Sequence, residues 1–169
     1  SISYDVKGPE VKRISCEPLV DSSTGADGKV TGKVNGTIKV SGEFTDDKSG
    51  FVSASWKVYK AASAGTVTDT TVWEEMTGSG LSGACGEEFD LNKSPSATAN
   101  SYYGIDTTQI EGSTSDVRGM KIEFTATDAA GNTQRTEYIY TVDQSTDKPT
   151  VTSGDEALDF GVDDYAKLL

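Results

Sequence analysis

Five aspartates stand at predicted turns or in a predicted linker, and their carboxylates are the chain's first candidates for chemistry. They are Asp46, Asp47, Asp128, Asp143 and Asp147. Carboxylate oxygens suit Ca²⁺, a hard cation that takes about six to eight oxygen ligands. However, no segment matches the EF-hand loop pattern, and turns recruit aspartate for its hydrogen bonds to the backbone. Two interpretations therefore stay open: Ca²⁺ ligands, or aspartates that only shape turns.

Three aromatic residues, Trp73, Tyr102 and Tyr103, fall outside the strongest core pattern of the sequence. Aromatic faces stack on sugars, and loops carried on rigid scaffolds often hold binding sites. We therefore take these three as candidate ligand-binding residues. The alternative is that they cover the far side of an enlarged sandwich.

The chain contains no histidine and only two cysteines, Cys16 and Cys85. The lack of histidine excludes Ser-His-Asp and Cys-His catalysis as well as histidine-ligated zinc. Two cysteines are too few for a four-cysteine zinc site. We treat the pair as a candidate disulfide, which would suit an oxidising compartment.

Two further patterns would suit enzymes, but neither has the context that its chemistry needs. Residues 78–83 match G-x-G-x-x-G, yet the flanking residues predict neither a buried parallel strand before the motif nor a helix after it. Nothing places two of the clustered glutamates across a cleft as a glycosidase pair. These glutamates are Glu74, Glu75, Glu87 and Glu88. We therefore expect a protein that is not an enzyme.

The charge balance excludes some partners. The formal net charge is −12 at pH 7 and the isoelectric point is about 4.3. Such a chain repels phosphate backbones, so nucleic acid and anionic lipid are not expected partners. No apolar run approaches the roughly 20 residues that span a bilayer, so we expect no membrane insertion of this segment.

The strongest structural signal is alternation of apolar and polar residues with period two. It predicts strands over 30–44, 52–58, 120–126 and 136–142, the last two joined as a hairpin through the turn at 128–132. We expect a bulge or bend near a glycine of the first run. If the turn between the first two runs is tight, we expect them to form an antiparallel pair. Weaker signals predict strands over 71–77, 87–91 and 102–105. Many short strands with no helical period indicate an all-β, two-sheet sandwich.

A short internal repeat suggests where the folded unit begins and ends. Tyr4-Asp5-Val6 followed by Pro9-Glu10-Val11 is matched by Tyr140-Thr141-Val142 followed by Pro149-Thr150-Val151. This predicts a module over 9–148. Residues 1–8 would be the end of a preceding repeat or an N-terminal strand. Residues 149–169 would be a linker and the start of the next repeat, or a disordered tail.

Two stretches resemble a known family, the bacterial immunoglobulin-like (Big-type) tandem repeats of surface proteins and adhesins. The stretch 126–133, with its Asp-Ala-Ala-Gly-Asn turn, and the strand 138–143 are similar to the F–G hairpin of those repeats. Residues 36–56 resemble their B–C hairpin, and 142–149 resembles their linkers. The resemblance covers 34–59 and 120–151.

The resemblance implies an immunoglobulin-like antiparallel β-sandwich with an enlarged middle region, since the predicted module is longer than the common domain of about 100 residues. It implies neighbouring repeats as partners and an extracellular, cell-surface or periplasmic location. In some such families, Ca²⁺ at module junctions stiffens the array. The cysteines do not fall on the B and F strands that antibody domains bridge.

The expected function is therefore structural: a spacer or adhesion element in a tandem-repeat bacterial surface or secreted protein. The alternative is a carbohydrate- or protein-binding module that uses the insertion at 60–117 to contact a glycan or a host protein. Ca²⁺ is the one cofactor that the sequence leaves open.

Overall fold

A computed structural model describes residues 6–46, 48–78, 80–91 and 104–146. Its strands are β1 (Glu10–Glu17), β2 (Val20–Thr24), β3 (Val30–Val34), β4 (Thr37–Thr45), β5 (Phe51–Ala61), β6 (Trp73–Glu75), β7 (Ser82–Cys85), β8 (Glu88–Asp90), β9 (Ile105–Asp106), β10 (Arg118–Asp128) and β11 (Thr133–Val142). Two short 3₁₀ helices span Thr107–Gln109 and Gln144–Thr146. None of the helices found in these ranges is long and apolar enough to cross a membrane.

The strands form two sheets packed face to face. The first has the order β1-β4-β8, with β9 also pairing with β4. The second has the order β2-β3-β11-β10-β5-β6, with β7 also pairing with β5. The pairs are antiparallel except for β3 with β11. This is the predicted immunoglobulin-like sandwich, in which β1, β4 and β8 take the places of strands A, B and E, and β5, β10 and β11 those of C, F and G.

The core lies between the sheets and is built by the alternation that the sequence predicted. On β10, the buried side chains Met120, Ile122, Phe124 and Ala126 alternate with outward-facing polar ones. Phe44 of the first sheet meets Phe124 of the second, with ring centroids 5.9 Å apart in an edge-on arrangement. Burying each such large side chain stabilises the fold by about 1.5–3 kcal/mol, so the alternation decides which face of each strand turns inward.

The predicted hairpin at 120–142 is confirmed, with β10 and β11 paired from Arg118↔Val142 to Thr127↔Thr133. The strands expected over 71–77 and 87–91 are present as the shorter β6 and β8. Of the segment 102–105, only the last residue falls in a strand that the structure describes, the two-residue β9.

The predicted single strand over 30–44 is wrong in one respect, because it is two strands in different sheets. The chain leaves β3 in the second sheet, turns at Asn35-Gly36, and enters β4 in the first. Gly36 has a φ of +57°, a conformation that costs glycine nothing extra and other residues about 1–2 kcal/mol. The expected bend therefore lies at Gly36 and carries the chain between sheets.

The expected antiparallel pairing of 30–44 with 52–58 is also wrong. This is the stretch that resembles the B–C hairpin of the bacterial repeats. β4 belongs to the first sheet and β5 to the second, so the residues between them cross the sandwich. Alternation with period two shows which side chains of a strand face the core. Because the strands of both sheets turn one face to the core, the alternation cannot distinguish a hairpin within one sheet from a crossing between the two sheets.

The enlarged middle region extends both sheets in the part of it that the structure describes. β6 pairs with the last residues of β5 and β7 with its earlier ones, so both add to one edge of the second sheet. β8 and β9 pair with different parts of β4 in the first sheet. In the described part of this region, these short strands therefore lie along β4 and β5, the outer long strands of the two sheets.

Candidate functional site

Asp46 organises the crossing between β4 and β5. Its Oδ1 accepts hydrogen bonds from the backbone N–H groups of Lys48 (3.1 Å), Ser49 (3.0 Å) and Gly50 (3.0 Å). Its Oδ2 is buried and has no hydrogen-bond partner among the residues that the structure describes. One carboxylate oxygen therefore shapes the turn, and the other bonds to nothing in the part of the turn that the structure describes.

Asp128 does the same for the turn between β10 and β11. Its Oδ1 accepts from the backbone of Ala130 (3.0 Å) and Asn132 (2.8 Å), and its Oδ2 accepts from the Asn132 side-chain amide at 3.1 Å. The two turns touch, because the Ala129 N–H donates to the Gly50 carbonyl at 3.0 Å. Asp46 and Asp128 thus lie at one end of the sandwich.

Asp143 lies at the opposite end, directly after β11. Its Oδ1 accepts from the Ser145 backbone N–H at 3.1 Å, and its Oδ2 lies 3.7 Å from Lys33 Nζ. The same ammonium lies 3.3 Å from Asp21 Oδ2. This carboxylate also shapes a turn, and it is paired with a cation.

These positions bear on the calcium hypothesis. Asp47 and Asp147 lie outside the described residues, and the other three candidates divide between the two ends of the sandwich. Within the described ranges there is no group of three or more Asp, Glu, His or Cys side chains that could hold a metal ion. The observed geometry is that of turn-forming aspartates, and Ca²⁺ binding stays the untested alternative.

The two cysteines are free thiols in this structure and lie in different sheets. Cys16 is buried on β1 and Cys85 is half-buried on β7. Burial raises the pKa of the Cys16 thiol to about 12, against a lowering influence of Tyr140, and burial raises that of Cys85 to about 11. Both groups are therefore protonated near neutral pH and poorly reactive.

Tyr140 is the buried neighbour of Cys16. Burial, followed by the nearby thiol of Cys16, raises the pKa of its phenol. Its Oη forms no hydrogen bond of ordinary geometry with any residue described here, although it lies close enough to Cys16 to influence that pKa. A thiol is a weak acceptor, so the pair fills the core without a strong polar contact.

Trp73 is a candidate ligand-binding residue, and it lies on the outer face of the second sheet. The ring packs onto the backbone of β10, since a Cβ on Gly119 would fall 2.9 Å from the indole. Lys121 Nζ lies 5.0 Å from the Trp73 ring centroid, 4.8 Å from that of Tyr59, and 3.3 Å from Glu137 Oε2. Tyr102 and Tyr103 fall outside the described residues, so the structure does not bring the three aromatics together.

The G-x-G-x-x-G stretch forms an irregular turn. Gly78 and Gly80 have φ values of +137° and +80°, and Leu81 is fully buried. β7 follows at Ser82, where a phosphate-binding loop would need a helix. The clustered glutamates lie in different sheets. Glu74 and Glu75 are on β6 in the second sheet, and Glu88 is on β8 in the first.

Sequence reasoning missed one polar side chain with a central position, Gln144. It is 8% exposed and forms three side-chain hydrogen bonds at the end where the chain leaves the sandwich. The only available signal was its place directly after a predicted strand, within a segment that resembles a linker.

No protein-family model, curated protein or solved structure matches this chain. The immunoglobulin-like architecture therefore rests on the strand order and pairing described above.

Proposed function

We propose that this chain is a non-enzymatic immunoglobulin-like module of a tandem-repeat bacterial surface or secreted protein, in which it acts as a spacer or adhesion element. The observation that carries the proposal is the path of the chain, which enters at one end of the sandwich and leaves at the other. Modules joined in series through such ends add their lengths.

The entry lies beside the turns shaped by Asp46 and Asp128. Gly8 and Pro9 are buried, and a Cβ on Gly8 would fall 2.6 Å from the backbone nitrogen of Gln134, at the start of β11. Glu10, the first residue of β1, pairs with Thr45, the last of β4. The chain is thus fixed to this end before the first strand begins.

The exit lies at the other end of β11. That strand has 10 residues, which at about 3.3 Å per residue carry the chain roughly 33 Å along the sandwich. The Asp143 N–H then donates to the Val34 carbonyl at 2.9 Å, next to the crossing at Gly36. Entry and exit are therefore separated by about the length of β11.

The repeated motif fits this path. Tyr140 and Val142, the C-terminal copy, are buried at the end of β11, and Pro9 of the N-terminal copy is buried at the entry. The same motif would thus close one module and open the next. An acidic, well-solvated surface suits a module exposed outside the cytoplasm, and neighbouring repeats are the expected partners.

A tandem of two modules tests the proposal by small-angle X-ray scattering. Residues 1–148 are joined to a second copy that begins at Pro9. The junction Lys148–Pro9 then has the same Lys-Pro sequence as Lys148–Pro149 in the natural chain. The maximum dimension should exceed that of the single chain by about 33 Å or more. A tandem with a Gly/Ser linker at the joint is the control. Two modules that fold back side by side, with no gain in length, would contradict the series arrangement.

The second candidate function is binding of a glycan or host protein, and the outer face around Trp73 favours it. Trp73 and Tyr59 keep part of their rings exposed beside Lys121 and Glu137. A ring next to fixed charges can stack on a sugar or pack on a protein. A glycan array probed with the chain and with Trp73→Ala tests it, with the exposed neighbour Val72→Ala as control. Equal binding by both variants would contradict a role for this face.

A further inference from the structure

Gln144 is a buried amide that ties the exit of the chain to other parts of the fold. Its Oε1 accepts from the Gly36 N–H at 3.0 Å. Its Nε2 donates to Thr107 Oγ1 at 2.9 Å and to the Glu111 carbonyl at 3.0 Å. Both hydrogens and the oxygen of the side-chain amide are thus in use.

The partners of Gln144 lie far apart in the sequence. Gly36 lies at the crossing between the two sheets, and Thr107 begins the 3₁₀ helix Thr107–Gln109 within the middle region. Thr107 also binds Gly36, because its backbone N–H and its hydroxyl both donate to the Gly36 carbonyl, at 3.0 and 2.7 Å. The amide of Gln144 therefore closes a ring of hydrogen bonds.

The residues around Gln144 are held from the other side as well. Asn35 Nδ2 donates to Thr146 Oγ1 at 2.8 Å, and that hydroxyl donates to the Asp143 carbonyl at 2.7 Å. The Thr146 N–H donates to the same carbonyl at 3.1 Å. The last described turn of the chain is thus bonded to the body of the sandwich.

We propose that these contacts form an exit clamp, and that Gln144 is its positioning residue. The exit clamp consists of Asn35, Gly36, Thr107, Glu111 and residues 143–146. It fixes the direction in which the chain leaves, so that a following domain is held at a defined angle. Exposed linkers usually leave neighbouring domains free to move, whereas buried and fully bonded groups resist opening. The inference rests on the proposed function and adds to it that the junction is stiff.

Amide hydrogen exchange of the whole chain, measured by NMR, tests the exit clamp. In Gln144→Ala, the N–H groups of Gly36, Asp143 and Thr146 should exchange about tenfold or more faster than in the unmodified chain, since each hydrogen bond lost weakens protection by about that factor. The amide of Ile122, in the central strand β10, should keep its exchange rate. Gln134→Ala, which changes a half-buried glutamine near the start of β11 at the entry end of the sandwich, is the matched control and should change none of these rates.

Faster exchange at Gly36 alone, with Asp143 and Thr146 unchanged, would overturn the proposal, because Gln144 would then only satisfy one neighbour. If Gln144→Ala raises exchange at Ile122 too, Thr107→Val replaces it. That variant keeps the shape of the side chain and removes the hydroxyl of the ring. It should speed exchange at Gly36 and Thr146 only, and unchanged rates would again overturn the proposal. The scattering of the tandem is a separate readout, so a series arrangement can hold with a flexible junction.

Discussion

At the scale of single residues, the two thiols differ from ordinary cysteines in a measurable way. Burial holds the pKa of Cys16 at about 12 and that of Cys85 at about 11. Cys16 lies in the core on β1, whereas part of Cys85 is exposed on an edge strand. The reactive thiolate is therefore scarce at both sites, and access separates them.

We expect iodoacetamide, without reductant at pH 8, to modify Cys85 slowly in the folded chain and to leave Cys16 untouched. The rate at Cys85 should be about one to two orders of magnitude below that of an unhindered thiol, and should rise with pH up to about 11. Unfolding in guanidinium chloride should allow two modifications, counted by mass spectrometry. A mass two hydrogens lower, with no modification after unfolding, would show that Cys16 and Cys85 are joined after all.

At the scale of elements, the sequence predicts best where one strand keeps a single period. β10 does so without a break, and its turn carries Asp128 and Gly131. β1 was missed because a register shift between Val11 and Arg13 puts its inward-facing residues out of step. The sequence allowed two interpretations of the aspartates, and turn formation was one of them. The role of Gln144 could not be predicted, because its hydrogen-bond partners come from distant segments.

The crossing at Gly36 lies within a continuous period-two pattern, so the sequence did not show that the chain changes sheet there. It gives a second prediction. Gly36→Ala should lower the free energy of unfolding by about 1–2 kcal/mol, because alanine resists the left-handed backbone that carries the chain between sheets. Urea denaturation followed by the fluorescence of buried Trp56 measures the loss. Gly86→Ala is the control: its nearest contact to an added Cβ is 3.6 Å and it has no positive φ. If Gly36→Ala and Gly86→Ala have the same free energy of unfolding, a side chain at position 36 does not strain the crossing.

At the scale of the whole molecule, the net charge of −12 makes any divalent cation stabilising to some degree, so calcium must be separated from general screening. The oxygens of Asp46, Asp128 and Asp143 that face their turns already accept backbone N–H groups. A cation would compete with those bonds. The buried Oδ2 of Asp46 is one oxygen, far short of the six or so that Ca²⁺ takes.

We therefore expect the melting temperature in millimolar Ca²⁺ to equal that in the same concentration of Mg²⁺, with both slightly above the value in EDTA. Screening acts on charge alone and treats the two ions alike, whereas a built site binds one of them and adds a stabilisation that grows with its concentration. Differential scanning calorimetry of the full chain measures all three. A rise specific to Ca²⁺ would contradict the turn-forming interpretation, and its loss in Asp46→Asn but not in Asp143→Asn would locate the ion at the entry, where one module would meet the preceding one.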